Sequence, residues 1–340
     1  MMPLPTPTYT FSIPSIHDRL RLDCRIYLPQ LPPPLSPSSQ QQQRPVSRPR
    51  GAIIAHPYAP LGGCFDDPVV GFVGGELLKA GLVLGTFNFR GAGDSGGRTS
   101  WTARPELADY GSFYVFMLLY LHFLGERGMG EGREKEIGKG DIRIVLGGYS
   151  YGSMIASHLP GLDAIVDLVR KSSPDTPIHE IYQIADKLSL CLGDDQSASR
   201  PSPTYRPATV EEMGQAADSI GRAAVSYLLV SPLLPPVNQF LTLFSKMSLD
   251  AAAQTSAQGR QISCPKPADQ LCAHDTLAIY GDQDTFTSAN KLEKWSADLA
   301  HAPESRFQAV EIEGAGHFWR EHGVESQARE VIKDWVCQMA

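Results

Sequence analysis

The sequence predicts an α/β fold with a mostly parallel central sheet of about eight strands and helices on both faces. Three observations support this prediction. Short apolar runs rich in β-branched residues alternate with longer segments of helical spacing, which is typical of a parallel sheet. Gly-rich loops follow several of the apolar runs. The chain has 340 residues, of which 42% are hydrophobic and 20% charged, so it can bury a sizeable core.

The elements follow from local patterns in chain order. Strand-like runs occupy segments such as Ala52-Ile53-Ile54-Ala55, and amphipathic or apolar segments between them have helical length. Strands are predicted at 20–28, 51–56, 82–89, 141–149, 223–231, 275–280 and 306–311. Helices are predicted at 69–79, 105–125, 286–300 and 324–338, with another helix beginning directly after Ser150.

This alternation predicts a single domain over residues 1–340. Three segments interrupt the alternation. Residues 30–50 are rich in Pro, Ser and Gln and predict a flexible loop. Residues 248–274 show no apolar period and predict a second flexible loop. The stretch 161–222 is too long for one connection and predicts an insertion after the nucleophile helix, either helical or disordered.

Two helices are predicted inside this insertion. Apolar residues recur at helical spacing over 177–192, and Thr209 with Glu212 forms a capping-box pattern for a helix at 210–222. These helices are either peripheral or a lid, and a lid would present Ile181, Tyr182 and Leu188 to an apolar substrate. The sequence leaves both alternatives open.

Charge and composition exclude several classes of partner. The net charge is −7 and no long basic run occurs, so we expect no nucleic-acid partner. The first residues lack the basic and apolar regions of a secretory signal. The longest apolar run, 113–124, is interrupted by His122 and predicts a buried helix rather than a membrane span. Six scattered cysteines without metal-ligand spacing favour a cytoplasmic location. The oligomeric state is left open.

The segment Gly148-Tyr149-Ser150-Tyr151-Gly152 has the pattern G-x-S-x-G. It follows a fully apolar strand and begins a helix, which is the context of a nucleophile elbow. Such a turn presents a serine hydroxyl at the carboxyl end of the strand, and the flanking glycines avoid clashes with the neighbouring backbone. Ser150 is therefore the candidate nucleophile.

A serine hydroxyl needs a base and a group that orients the base. In the chain order that fits this elbow, the acid precedes the histidine. His317 follows the predicted last strand, in Gly314-Ala315-Gly316-His317, and is the candidate base. Asp282 and Asp284 both follow the strand at 275–280. We favour Asp284 as the acid because its reach is better, and Asp282 could instead brace the turn.

An oxyanion hole needs two backbone N–H donors. One candidate is Tyr151, the residue after the nucleophile. The other lies in the loop 56–60, where Pro57 and Pro60 cannot donate because proline has no N–H. Tyr58 or Ala59 remains, and we favour Tyr58.

The segment 91–96 reads G-x-G-x-x-G after a strand, as in a dinucleotide-binding loop. A dinucleotide site requires a helix that begins on the loop, with an acidic residue about twenty positions further on. Here the loop continues through 97–100, so we interpret it as a structural loop near the pocket. No cofactor and no metal are implied.

These motifs together resemble the α/β-hydrolase superfamily, and within it a subgroup of small serine hydrolases with an HPHP–GG-like oxyanion loop. The resemblance implies the α/β-hydrolase fold and a triad of Ser150, Asp284 and His317. This chain departs from the subgroup at Tyr58, where a second histidine is usual, and in its longer segments 161–222 and 248–274. The matching segments, in order from about residue 51, are His56–Gly63, Phe87–Ser95, Gly148–Gly152, Val230–Pro232, Pro236–Asn238 and Gly314–Phe318.

The sequence therefore predicts a carboxylesterase-like serine hydrolase that cleaves a small-molecule ester or related acyl bond through an acyl-enzyme. The superfamily also contains acyltransferases, peptidases and lyases, and members without activity, so these alternatives stay open. A pure binding protein is disfavoured because binding alone does not require a serine, an acid, a histidine and an oxyanion loop together.

Overall fold

The structure is a computed structural model that describes residues 3–29, 49–128, 142–191, 208–242, 247–251 and 260–339. The predicted loop at 30–50 falls almost entirely outside these residues. In the described part, eight strands form one sheet in the order β1-β2-β4-β3-β5-β6-β9-β10. They are β1 (Tyr9–Pro14), β2 (Arg21–Tyr27), β3 (Arg50–Ala55), β4 (Val83–Phe87), β5 (Arg143–Tyr149), β6 (Ala224–Val230), β9 (Asp275–Gln283) and β10 (Phe307–Gly316).

The sheet is parallel from β4 to β10, while β1 and β2 are antiparallel at one edge. All residues of β4 are buried, as expected for a strand that is covered on both faces. The mostly parallel eight-stranded sheet that the sequence predicts is therefore confirmed. Strand β1 is an addition, because the sequence pattern alone did not predict it.

Helices cover both faces of the sheet. Helices α1 and α10 share one apolar cluster with one face, and α2 to α6 contribute to the cluster on the other face. The helices are α1 (Pro68–Lys79), α2 (Arg104–Gly128), α3 (Tyr151–Ser157), α4 (Leu162–Arg170), α5 (Pro177–Leu190), α6 (Val210–Ile220), α7 (Val237–Leu241), α8 (Pro267–Ala273), α9 (Ala289–Ala300) and α10 (Val324–Gln338), with a short 3-10 helix at Ala59–Leu61.

The middle of helix α2, from Phe113 to Leu121, is apolar on all sides because it is buried on all sides. It packs on the sheet, and α5 and α6 of the insertion contact its outer surface. Within the described residues, α2 is long and apolar enough to cross a membrane by length and composition, but 94% of its apolar window is buried in the fold. This burial agrees with the predicted core helix.

The insertion helices form an outer layer on α2. Ile181 and Tyr182 are buried in the core cluster, and the Tyr182 ring meets Phe123 of α2 edge-on with 5.1 Å between ring centroids. The predicted capping box of Thr209 and Glu212 is present at the start of α6. Helix α2 thus covers the buried part of the apolar stripe of α5. The lid and the peripheral arrangement of the insertion both stay predictions.

The expectation of a flexible loop at 248–274 is wrong for its described residues. Strands β7 (Ser248–Ala251) and β8 (Arg260–Ser263) pair antiparallel, and α8 follows them. Leu249 and Ile262 face each other in register and are buried. A strand of only four residues is too short to show a clear alternation of apolar and polar residues in the sequence. These two strands form because they pair with each other.

Candidate active site

The carboxyl ends of β5, β9 and β10 bring the three predicted triad residues together. Ser150 follows β5 directly, Asp284 follows β9 and His317 follows β10. All three side chains are nearly enclosed, with residue exposures of 6%, 7% and 3% respectively. Since these strands lie on one side of a continuous parallel sheet, their ends converge on one edge.

Ser150 adopts a strained backbone conformation. Its φ of 55° and ψ of −112° are rarely adopted by a residue with a side chain, and the serine stands at the junction of β5 and α3. A Cβ atom at Gly148 would lie 2.4 Å from the backbone of Gly152, and one at Gly152 would lie 2.4 Å from the carbonyl oxygen of Ala55. Both glycines are therefore required for this turn, which has the geometry of a nucleophile elbow.

The three side chains form a continuous hydrogen-bond chain. His317 Nε2 lies 2.9 Å from Ser150 Oγ, and His317 Nδ1 lies 2.7 Å from Asp284 Oδ2. An ionised carboxylate can only accept, so Nδ1 carries the proton of the neutral imidazole and Nε2 can accept the serine proton. This is the tautomer that a serine nucleophile requires of its base.

Asp284, rather than Asp282, contacts the histidine. The second oxygen of Asp284 accepts hydrogen bonds from the backbone N–H groups of Phe286 at 2.8 Å and Thr287 at 3.0 Å, which fix the carboxylate. Asp282 instead accepts from the N–H of Gly314 at 2.7 Å. This hydrogen bond joins the end of β9 to the segment just before His317. Asp282 therefore braces the turn, which is the alternative role that the sequence analysis gave it.

The side chains of the two candidate oxyanion residues contact each other. Tyr151 is the first residue of α3, so its N–H has no acceptor one turn earlier in the helix. Tyr58 immediately precedes the 3-10 helix Ala59–Leu61, and its ring contacts that of Tyr151 with 5.1 Å between centroids. Their role as donors to a reacting oxygen stays a prediction.

His56 fixes the loop that contains Tyr58. Its Nε2 accepts a hydrogen bond from the N–H of Phe89 at 2.9 Å, and its Nδ1 donates to the carbonyl of Pro57 at 2.6 Å. One ring nitrogen accepts and the other donates, so the imidazole is neutral. Burial lowers the pKa of His56 to about 4, although the Pro57 carbonyl opposes the shift.

Sequence reasoning missed the aromatic residues around the base. The Phe286 ring stacks on the His317 imidazole with 4.3 Å between centroids, and Phe318 meets the imidazole edge-on at 5.6 Å. Tyr149 donates a hydrogen bond from its hydroxyl to the backbone carbonyl of His317 at 2.8 Å. Tyr149 and Phe318 flank the motif residues directly, which is the only sequence signal for them.

The G-x-G-x-x-G segment forms a closed loop, as predicted. The N–H of Gly91 bonds to the carbonyl of Gly96 at 2.9 Å, and Ser95 Oγ donates to the carbonyl of Asn88 at 2.7 Å. The next helix begins only at Arg104, so no helix N-terminus opens on this loop.

No family model matches the sequence, and no curated protein matches it.

Several solved structures match the chain over most of its length at low sequence identity. A serine hydrolase homologue from Coxiella burnetii is 17% identical, with a TM-score of 0.48, and the match covers 97% of this chain and 98% of that chain. A serine hydrolase described as lacking a lid, from Xanthomonas campestris, is 15% identical with a TM-score of 0.48, over 100% and 98% of the two chains. Est1E from Butyrivibrio proteoclasticus is 13% identical with a TM-score of 0.45, and the match covers 97% of this chain and 98% of that chain.

The chain has the α/β-hydrolase fold. Its own strand order, its antiparallel first edge and the elbow after β5 define that class. The chemistry depends on the site rather than on the fold.

Proposed function

We propose that the protein is a serine hydrolase that cleaves a carboxylic ester or a related acyl bond through an acyl-enzyme. The observation that carries the proposal is the hydrogen-bond chain from Ser150 through His317 to Asp284, with distances of 2.9 and 2.7 Å, on a strained elbow. Each contact has the donor and acceptor arrangement that nucleophilic catalysis needs.

In acylation, Ser150 Oγ attacks the carbonyl carbon of the substrate, and its proton passes to His317 Nε2. The Asp284 carboxylate holds Nδ1–H and stabilises the imidazolium that forms. The backbone N–H groups of Tyr58 and Tyr151 are the proposed donors to the oxyanion of the tetrahedral intermediate. Stabilisation by two such donors would act in an enclosed site, where it is stronger than in water.

Acylation ends when the imidazolium gives its proton to the leaving alcohol as the carbon–oxygen bond breaks, which leaves the acyl group on Ser150. In deacylation, His317 removes a proton from a water molecule, which attacks the acyl carbon. The imidazolium then returns a proton to Ser150 Oγ as the bond between Ser150 and the acyl group breaks and the acid is released. Stacking of Phe286 on the imidazole limits access of other solvent to the Asp284–His317 pair.

The proposal is tested with a fluorophosphonate probe and with short and medium p-nitrophenyl esters. We expect labelling of the wild type, no labelling of Ser150→Ala, and loss of turnover in Ser150→Ala and His317→Ala. Asp284→Asn should lower kcat about 10³- to 10⁴-fold because it favours the wrong histidine tautomer.

Asp282→Asn is the matched control, since it changes a carboxylate two positions earlier, at the end of β9. Its bond to Gly314 is exposed, so we expect activity within a few-fold of the wild type. A folded wild-type protein that neither binds the probe nor cleaves the esters would contradict the proposal. Product analysis with a competing alcohol separates hydrolysis from acyl transfer.

A further inference from the structure

A cavity lies at the edge of the sheet opposite Ser150. It has a volume of about 270 Å³ and is lined by the first residues of four adjacent parallel strands, β3, β5, β6 and β9. Those residues are Arg50, Arg143, Ala224 and Asp275, and Arg306 from the start of β10 also lines it. Because β5 rises by about 3.3 Å per residue, this basal cavity is roughly 20 Å from the nucleophile.

Two arginines that form no ion pair with another described residue line the basal cavity. Arg50 and Arg143 are register partners on neighbouring strands, and Arg143 donates to a neutral acceptor, the carbonyl of Met339. Arg306, by contrast, is paired with Asp275 at 2.6 Å. Among the described lining residues, the positive charges therefore outnumber the negative ones by two.

The positive charges of Arg50 and Arg143 repel each other in this cavity. Burial, and after it the charge of Arg143, lowers the pKa of Arg50. An anion between the two guanidinium groups would remove this repulsion, and guanidinium forks match the oxygens of phosphate in paired hydrogen bonds. A phosphate group carries a charge of about −1.5 to −2 at pH 7, so it balances two arginines where a carboxylate balances one.

The volume agrees with such an occupant. A water molecule occupies about 30 Å³ in the liquid, and small-molecule sites begin near about 300 Å³. The basal cavity is thus large enough for a phosphate group with a small substituent. We propose that it binds a phosphoryl group, with the anionic oxygens on Arg50 and Arg143.

The test is a titration of the wild type with inorganic phosphate and with phenyl phosphate at constant ionic strength, by calorimetry and thermal unfolding. We expect saturable binding with a Kd in the low millimolar range or below, and a rise in Tm. Binding of both probes indicates a phosphate site, whereas tighter binding of phenyl phosphate indicates a phosphomonoester site.

Arg50→Gln should weaken binding at least tenfold. Without phosphate, its Tm should equal or exceed that of the wild type, because the substitution removes a like-charge pair. Arg50→Lys keeps the charge but loses the fork, so its affinity should be intermediate. Lys291→Gln, an exposed charge on α9 outside the cavity, is the matched control and should bind like the wild type.

Two outcomes would overturn the proposal. One is a wild-type protein that shows no saturable response to either probe. The other is an Arg50→Gln variant that responds like Lys291→Gln, which would place the anion elsewhere, for example at the candidate active site. Ser150→Ala should bind phosphate normally, so failure of the hydrolase proposal would leave this result unaffected.

Discussion

The hydroxyl of Tyr149 donates a hydrogen bond of 2.8 Å to the backbone carbonyl of His317, and both groups are buried. The residue that precedes the candidate nucleophile therefore holds the loop that carries the candidate base. The Tyr149 ring also lies 5.6 Å from the imidazole, measured between centroids. One side chain thus fixes the distance between the end of β5 and the loop after β10.

Tyr149→Phe should lower kcat for an ester about three- to tenfold with little change in KM, because a hydrogen bond worth about 1 kcal/mol no longer orients the base. Steady-state kinetics over a range of pH would measure this, and burst kinetics would assign the loss to acylation or deacylation. A structural role alone would change stability and leave kcat unaltered.

Tyr114→Phe is the matched control for that change. Tyr114 is a buried tyrosine on α2 whose hydroxyl has no hydrogen-bond partner among the described residues. Removing an unsatisfied hydroxyl should leave activity unchanged and stability equal or higher. Equal kinetics for the two variants would contradict a positioning role for Tyr149.

The stability of the protein should depend on pH through His56. Its folded pKa of about 4 lies below the ordinary value of 6.5, so between these values the unfolded state binds more protons. Stability is thus complete above about pH 6.5 and falls as the pH decreases toward 4, by up to about 3 kcal/mol from this group. Urea unfolding at several pH values would measure the effect.

The comparison variant for that measurement is His56→Gln. It should be less stable at neutral pH, because the bond from Phe89 is altered, but its stability should change less between pH 7 and pH 4.5. Other groups titrate in both proteins and cancel in the difference. An identical pH dependence of the two proteins would refute the assignment to His56.

Gly152→Ala should disrupt the elbow. The added methyl group would lie 2.4 Å from the carbonyl oxygen of Ala55, which is backbone and cannot rotate away. We expect a large loss of Tm and of fluorophosphonate labelling, because the displacement moves α3 relative to the loop that carries Tyr58. Thermal unfolding and probe labelling would report the two effects.

Gly214→Ala is the matched control, because the structure has space for the added methyl group at this position. Gly214 lies inside α6 with no atom within 4 Å of the position of a Cβ. Alanine should stabilise the helix by about 0.5 to 1 kcal/mol relative to glycine. Destabilisation by Gly214→Ala would show that α6 is packed differently from the structure described here.

Asp109→Asn should destabilise the fold by about 2 to 3 kcal/mol, because it removes the buried one of the two carboxylates that pair with Arg90, while Asp18 remains. Asp109 is fully buried on α2 and accepts from Arg90 Nε at 2.8 Å and Nη2 at 2.7 Å. Denaturant unfolding would give the free-energy difference. Asp218→Asn, which breaks the exposed pair with Arg170, should cost less than about 1 kcal/mol. Equal costs for the two would contradict this difference in burial.

The fold class, Ser150 and His317 were predictable from the sequence, which also narrowed the acid to Asp282 or Asp284. Those features depend on local patterns: apolar runs of strand length, the glycines around Ser150, and residues placed directly after strands, as His317 is. Parallel strands end at a common edge, so chain order was sufficient to predict that these side chains meet. Residues 30–48 lie outside the described structure, so the loop predicted there stays a prediction.

The features that depend on contacts between distant segments became known only from the three-dimensional structure. It distinguished Asp284 from Asp282, which stand two positions apart at the end of β9 and contact different partners, His317 and the N–H of Gly314 respectively. It placed the described insertion helices against α2, because an apolar stripe in the sequence indicates that a surface is buried but does not identify the element that buries it. Strand β1 and the β7–β8 pair are ordered by long-range hydrogen bonds, and the basal cavity exists because separate strands begin at the same edge. Periodicity and motif spacing describe neighbours along the chain, whereas these features are set by neighbours in space.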